Sequence, residues 1–164
     1  MSDTTHEPIL HAPMESLGYH VLLCAAGGAI LGLLIAFGFV VKSHLDANAV
    51  SEVFRTARAS LLVYRVEKGA WPENFNFSKP PVDLATRGFT PVRTALAKAQ
   101  LEGEWLFEKK GPDGKPAVLF RLGRKDQDDE RVLRIVDSRL DDGRVGTGIM
   151  RLKDGVASLT LGDE

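Results

Sequence analysis

The chain has 164 residues, one cysteine, and 21 Lys and Arg against 22 Asp and Glu, for a net charge of −1. Charges this balanced exclude the basic face of a nucleic-acid binder. A single thiol excludes an internal disulfide and every cysteine-spaced zinc site.

Residues 1–20 (MSDTTHEPILHAPMESLGYH) are polar, hold two prolines and show no apolar period, so they read as a flexible tail. His6 and His11 read as solvated tail histidines. Residues 21–41 (VLLCAAGGAILGLLIAFGFVV) carry no charge, and twelve of these 21 are Val, Leu, Ile or Phe. As a helix this run spans about 30 Å, the thickness of a bilayer's hydrocarbon core. At roughly −0.3 to −0.6 kcal/mol for each large apolar residue, insertion is favoured by several kcal/mol. The run lacks a preceding basic segment and is longer than a signal peptide's apolar core, which makes it a retained transmembrane helix. A core helix of a soluble protein rarely runs this long without a polar face. Gly28, Gly32 and Ala36 are four apart on one face, the spacing at which membrane helices approach closely. Cys24 is a small apolar filler of that helix.

All 21 Lys and Arg and 19 of the acids fall in residues 42–164, enough chain for one domain and not for two. Val50, Phe54, Ala57, Leu61 and Tyr64 recur at steps of four and three, so a single apolar stripe continues the helix. One helix of roughly 45–50 residues is expected, with 43–48 as the alternative place for a break. Gly69 stops it, after Lys68 and before Pro72. Residues 70–88 read as a loop pinned by Trp71, Phe75 and Phe77. Thr90-Pro91 predicts a helix start, with Thr90 as N-cap and Gly103 as the end of that helix. Beyond it the pattern is β. Strands 104–110 and 116–122 flank a Gly-Pro-Asp-Gly turn. Residues 131–136 (RVLRIV) predict a third strand after a charged solvated loop, 124–130. Strands 147–152 and 156–161 form a last hairpin across Lys153-Asp154-Gly155. Short turns between strands imply an antiparallel sheet, one face of which covers the helix stripe.

In this order, the elements resemble the type IV pilin and type II secretion pseudopilin family. Tyr64-Arg-Val-Glu-Lys-Gly69-Ala-Trp71-Pro72 is similar to the family's helix tyrosine followed by glycine, an aromatic and proline. Asp137, Asp141-Asp142-Gly143 and Gly146-Thr147-Gly148 resemble the "D…DDG…TG" stretch of some pilin-like proteins. The resemblance implies a pilin-like α+β fold: a long N-terminal transmembrane helix continuing into a soluble domain with a small antiparallel sheet. It implies a structural subunit of a type II secretion or type IV pilus-type assembly, a minor pseudopilin-like component. Such a subunit sits in the bacterial inner membrane with its C-terminal domain in the periplasm, and its partners are other pilin-like subunits. Gly18-Tyr19 occupies the place of the family's processing point. The sequence departs from the family there: no basic residue precedes Gly18, and the fifth residue after the cut is Leu23, where the family has Glu. An uncleaved accessory or scaffold subunit of a larger membrane complex is the alternative.

No histidine lies beyond His44 and no cysteine beyond Cys24, so the chain after residue 44 holds no Ser-His-Asp or Cys-His site, and no nucleotide-binding glycine motif occurs. A non-enzyme is the expectation. Asp137, Asp141 and Asp142 are the candidate metal ligands. Calcium takes carboxylate and loop-carbonyl oxygens, and the resemblance implies calcium in the C-terminal region. The alternative is a solvated turn with Asp as a local cap. The expected division is a tail at 1–20, a transmembrane helix at 21–41 and a soluble domain at 42–164.

Overall fold

A computed structural model describes residues 14–124, 127–144 and 146–162, apart from the side chains of 14–17 and of Arg87. His6 and His11 lie outside the described residues. The chain divides into two compact units, Met1–Val40 and Val41–Glu164.

Helix α1 runs Met14–Lys68 without interruption. Residues 14–20, predicted as tail, are thus helical. No break falls at 43–48, because nothing there removes a backbone donor. From Gly18 to Val41 every side chain is exposed within the chain itself. Among the described residues, α1 is the one helix long and apolar enough to cross a membrane. In the second unit, Val50, Phe54, Ala57 and Leu61 are fully buried, joined by Ala47 and Val53, and Tyr64 is half-buried. Burial of a side chain the size of Phe54 or Leu61 contributes about 1.5–3 kcal/mol.

Gly69 ends α1 at φ +72°, its N–H donating to the Arg65 carbonyl. Residues 70–88, predicted as loop, contain strand β1 (Phe75–Asn76) and helix α2 (Val82–Arg87). Both are very short and carry no periodicity of their own. The predicted aromatic anchors do pin this segment. Phe77 is buried, Phe75 and Trp71 pack on Phe107 at 5.5 and 6.1 Å, and the Arg65 guanidinium lies 5.0 Å from the Trp71 ring. Helix α3 spans Thr90–Leu96 with Phe89 as its N-cap and Thr90 inside the helix, one position off the expectation. Gly103 does not end that helix. It opens strand β2 (Gly103–Glu108), where a Cβ would stand 2.4 Å from the Arg121 carbonyl oxygen.

Strand β3 (Ala117–Leu122) pairs antiparallel with β2, Trp105 opposite Phe120. The predicted third strand at 131–136 is instead part of helix α4 (Gln127–Leu140). Its buried residues are Val132, Leu133, Val136 and Asp137, a helical stripe. As a strand, the same segment would place Arg134 on one face with Val132 and Val136. Asp128, Asp129 and Glu130 in the first turn and Arg139 in the last complement the helix dipole. The run expected as a solvated loop therefore includes the start of α4; Lys125 and Asp126 lie outside the described residues. The last hairpin joins β4 (Met150–Lys153) to β5 (Val156–Thr160). Asp154 and Gly155 both have positive φ, the two-residue loop that matches strand twist.

All pairings are antiparallel, in the order β1-β2-β3-β5-β4. One sheet face, with Trp105, Phe107, Val118, Phe120, Ala157 and Leu159, shares a core with the second half of α1. Phe54 meets Trp105 edge-on at 4.8 Å. The fold is α+β: a long N-terminal apolar helix followed by a small five-stranded antiparallel sheet with helices.

Candidate functional site

The C-terminal end of α4 gathers the three predicted carboxylates. Asp137 is the last residue of the buried stripe, so packing of Val132, Leu133 and Val136 drives it inward, to 1% exposure. Among the described residues neither of its carboxylate oxygens has a hydrogen-bond partner. A buried, unpaired carboxylate is costly, and such a group calls for a cation or a proton. The Asp141 N–H donates to the Asp137 carbonyl at 2.8 Å, which carries the helical turn one residue past α4. Asp141 Oδ2 accepts from the N–H of Met150 at 2.9 Å, and this contact ties the loop to the start of β4. Asp142 accepts from the Arg144 N–H at 2.8 Å and from the Thr147 hydroxyl at 3.0 Å.

One oxygen from each carboxylate lies within 4.8 Å of the others. Gly148 makes the approach feasible. Its φ is +81°, and a Cβ there would fall 1.8 Å from Asp141 Oδ2. Thr147 and Gly148 thus close the loop over the carboxylates.

Asp137 and Asp142 are electrostatically unlike. Burial pushes the Asp137 carboxyl above its ordinary value, and the charges of Asp141 and Asp142 push it further in the same direction. The Arg144 N–H holds Asp142 below its ordinary value, with help from Thr147. A divalent cation would relieve the repulsion that Asp137 feels. The donor set is oxygen only, which suits a hard cation such as calcium. Calcium–oxygen distances of about 2.3–2.6 Å place opposed ligands roughly 5 Å apart, so the observed spread fits. The negative end of the α4 dipole points the same way.

The other predicted site residues fall elsewhere. Gly28, Gly32 and Ala36 lie exposed on the first half of α1. A Cβ at either glycine would meet nothing within 4 Å. Gly18 and Tyr19 are also exposed and helical. Phe54 and Leu61 are core residues, and Tyr64 and Trp71 are half-buried beside them. The sequence reading missed Arg139 and the Met150 N–H. A backbone donor has no sequence signature, whereas Arg139 could have been flagged as a cation in the last turn of a helix had 131–136 been read as one.

No family model, no curated protein and no solved structure matches this chain.

Proposed function

We propose that the protein is a membrane-anchored, pilin-like structural subunit, a minor pseudopilin-like component of a secretion or pilus-type assembly. The observation that carries this reading is α1. Over residues 21–41 its apolar side chains are all exposed, and over 47–61 its apolar stripe is buried against an antiparallel sheet. A single helix that serves a bilayer first and a sheet second suits a subunit that works by packing. Residues 21–41 face lipid and neighbouring helices, the latter through Gly28, Gly32 and Ala36. The domain at 42–164 faces partner subunits.

Two considerations on orientation oppose each other. Lys42, Arg55 and Arg58 follow the apolar run while residues 1–20 carry no Lys or Arg, which by the positive-inside rule favours a cytoplasmic domain. Only Lys42 adjoins the run, and the family resemblance favours the periplasm, which is the placement proposed. A periplasm-specific reporter fused after Glu164 tests it; activity of a cytoplasmic reporter at that position overturns both the placement and the pseudopilin reading.

A second reading has its own support. The Gly18–Tyr19 bond lies inside α1, which starts at Met14, and a helical bond is a poor fit to a protease cleft. An uncleaved accessory or scaffold subunit would keep residues 1–18. N-terminal sequencing of the protein from its native membrane decides: Tyr19 as first residue supports the processed subunit, and residues 1–18 retained support the scaffold.

The acidic cluster is proposed to bind calcium through Asp137, Asp141 and Asp142, the cation supplying the charge that lets the three carboxylates stay together. Chelation should then lower the melting temperature of the full chain in detergent, and Asp141→Ala should abolish the response. An unchanged melting curve in excess chelator would leave the solvated turn.

A further inference from the structure

We infer that the last turn of α4 couples the acidic cluster to α1, so that a cation bound by the carboxylates tightens a polar clamp on α1 just beyond its apolar run. The clamp is Arg139. Its Nη1 donates to the His44 carbonyl at 3.3 Å and to Asn48 Oδ1. Its Nη2 lies 3.2 Å from His44 Nδ1. A guanidinium only donates, so Nδ1 accepts. In the reverse direction, Arg55 on α1 donates to the Arg139 carbonyl at 3.4 Å. This is one of the carbonyls that a helix C-terminus leaves without an internal partner. Four bonds thus join the end of α4 to residues 44–55 of α1, across 84 to 95 positions of sequence.

The coupling follows from the position of Arg139. It lies between Asp137 and Asp141, inside the turn closed by the bond from the Asp141 N–H to the Asp137 carbonyl. Three carboxylates at the negative end of a helix dipole repel one another and that end, so without a cation this turn opens more readily. Opening it displaces Arg139 and releases His44 and Asn48. A cation removes the repulsion and holds the turn, and with it the clamp. Residues 44–48 begin three positions after Val41, so their order decides how firmly the domain grips α1 where the apolar run ends. The inference rests on the calcium reading above.

Reciprocity supplies the test. If the cation tightens the clamp, the clamp tightens the cation, by the same factor. Asn48 is neutral and is no part of the carboxylate cluster, so removing its side chain does not alter the charge at the site. Calcium is titrated into the full chain in detergent by calorimetry, for wild type, Asn48→Ala, Asn48→Asp and Lys68→Ala. Asn48→Ala is expected to weaken calcium binding about five-fold or more. Asn48→Asp keeps an acceptor for Arg139 and is expected to bind at least as tightly as wild type, and Lys68→Ala should match wild type. Alanine suits a helix interior, and the circular dichroism of each variant checks that it folds. Equal affinities for wild type and Asn48→Ala would overturn the coupling and leave the metal reading standing. Equal losses in Asn48→Ala and Lys68→Ala would overturn it as well, because the effect would not be specific to the clamp. A wild type that takes up no calcium would overturn the metal reading, and the coupling with it.

Discussion

The two halves of α1 put their apolar side chains to opposite uses. In the first half, Leu33 and Phe37 are 71% and 68% exposed. In the second, Phe54 and Leu61 have no exposure at all, while Arg55 beside them faces solvent. Both halves are equally helical, so helicity alone says nothing of environment. What differs is the distribution of charge around the axis. A helix apolar on every side needs an apolar surrounding, and one with a single apolar stripe needs only one packed face.

Truncating one large side chain in each half separates the two environments. Phe54→Ala should lower the unfolding free energy of the full chain in detergent by about 3–5 kcal/mol, through the cavity left against Trp105. Phe37→Ala should leave the denaturation midpoint of the domain in place. Equal shifts would mean that the two halves do not differ as described. The converse substitution is Leu33→Asp. It should weaken membrane insertion by roughly 3 kcal/mol, read as loss of the chain from carbonate-washed membranes, while the fold at 42–164 survives. Retention in the membrane fraction at wild-type level would argue against a lipid-facing first half.

Gly148→Ala probes the loop that holds Asp141. It forces a Cβ into the space of Asp141 Oδ2 at a positive φ, and about 2 kcal/mol should be lost. Chemical denaturation reads the loss, and a smaller effect of Gly146→Ala, where nothing lies within 4 Å, makes the control.

Asp137 gives a signed pH dependence. Its carboxyl is held above the ordinary value of 3.8, so the folded chain keeps that proton after the unfolded chain has released it. The stability linked to this group is therefore complete below 3.8 and declines as pH rises from there through the raised folded value. In chelator, Asp137→Asn should remove that decline and raise the melting temperature at neutral pH; an unchanged pH profile would contradict an unpaired buried acid. Asp142, held low, contributes in the opposite sense, with stability lost as pH falls through its folded value.

The smallest effect belongs to the end of α1. The Lys68–Asp83 ion pair at 2.8 Å is well exposed, and Lys68→Ala should cost under about 0.5 kcal/mol, less in high salt.

Much of this was legible along the chain because the physics is local. A run of 21 uncharged residues, a stripe at steps of three and four, Gly69 as a stop, and turn residues that tolerate positive φ act within a few positions of themselves. From these the apolar helix, its buried continuation and both β-hairpins follow. Residues 131–136 misled because β-branched valines and isoleucine favour a strand locally. Their fate was set by which side chains the sheet could cover, and only a helix buries Val132, Leu133 and Val136 while leaving Arg131 and Arg134 outside. That choice also fixed the site. The sequence placed Asp137, Asp141 and Asp142 near one another, but only the helix aims Asp137 into the interior, without a partner among the described residues, and turns Arg139 toward His44 and Asn48. Contacts across some ninety residues leave no trace in local spacing, because they depend on burial, which belongs to the whole fold and to no single segment.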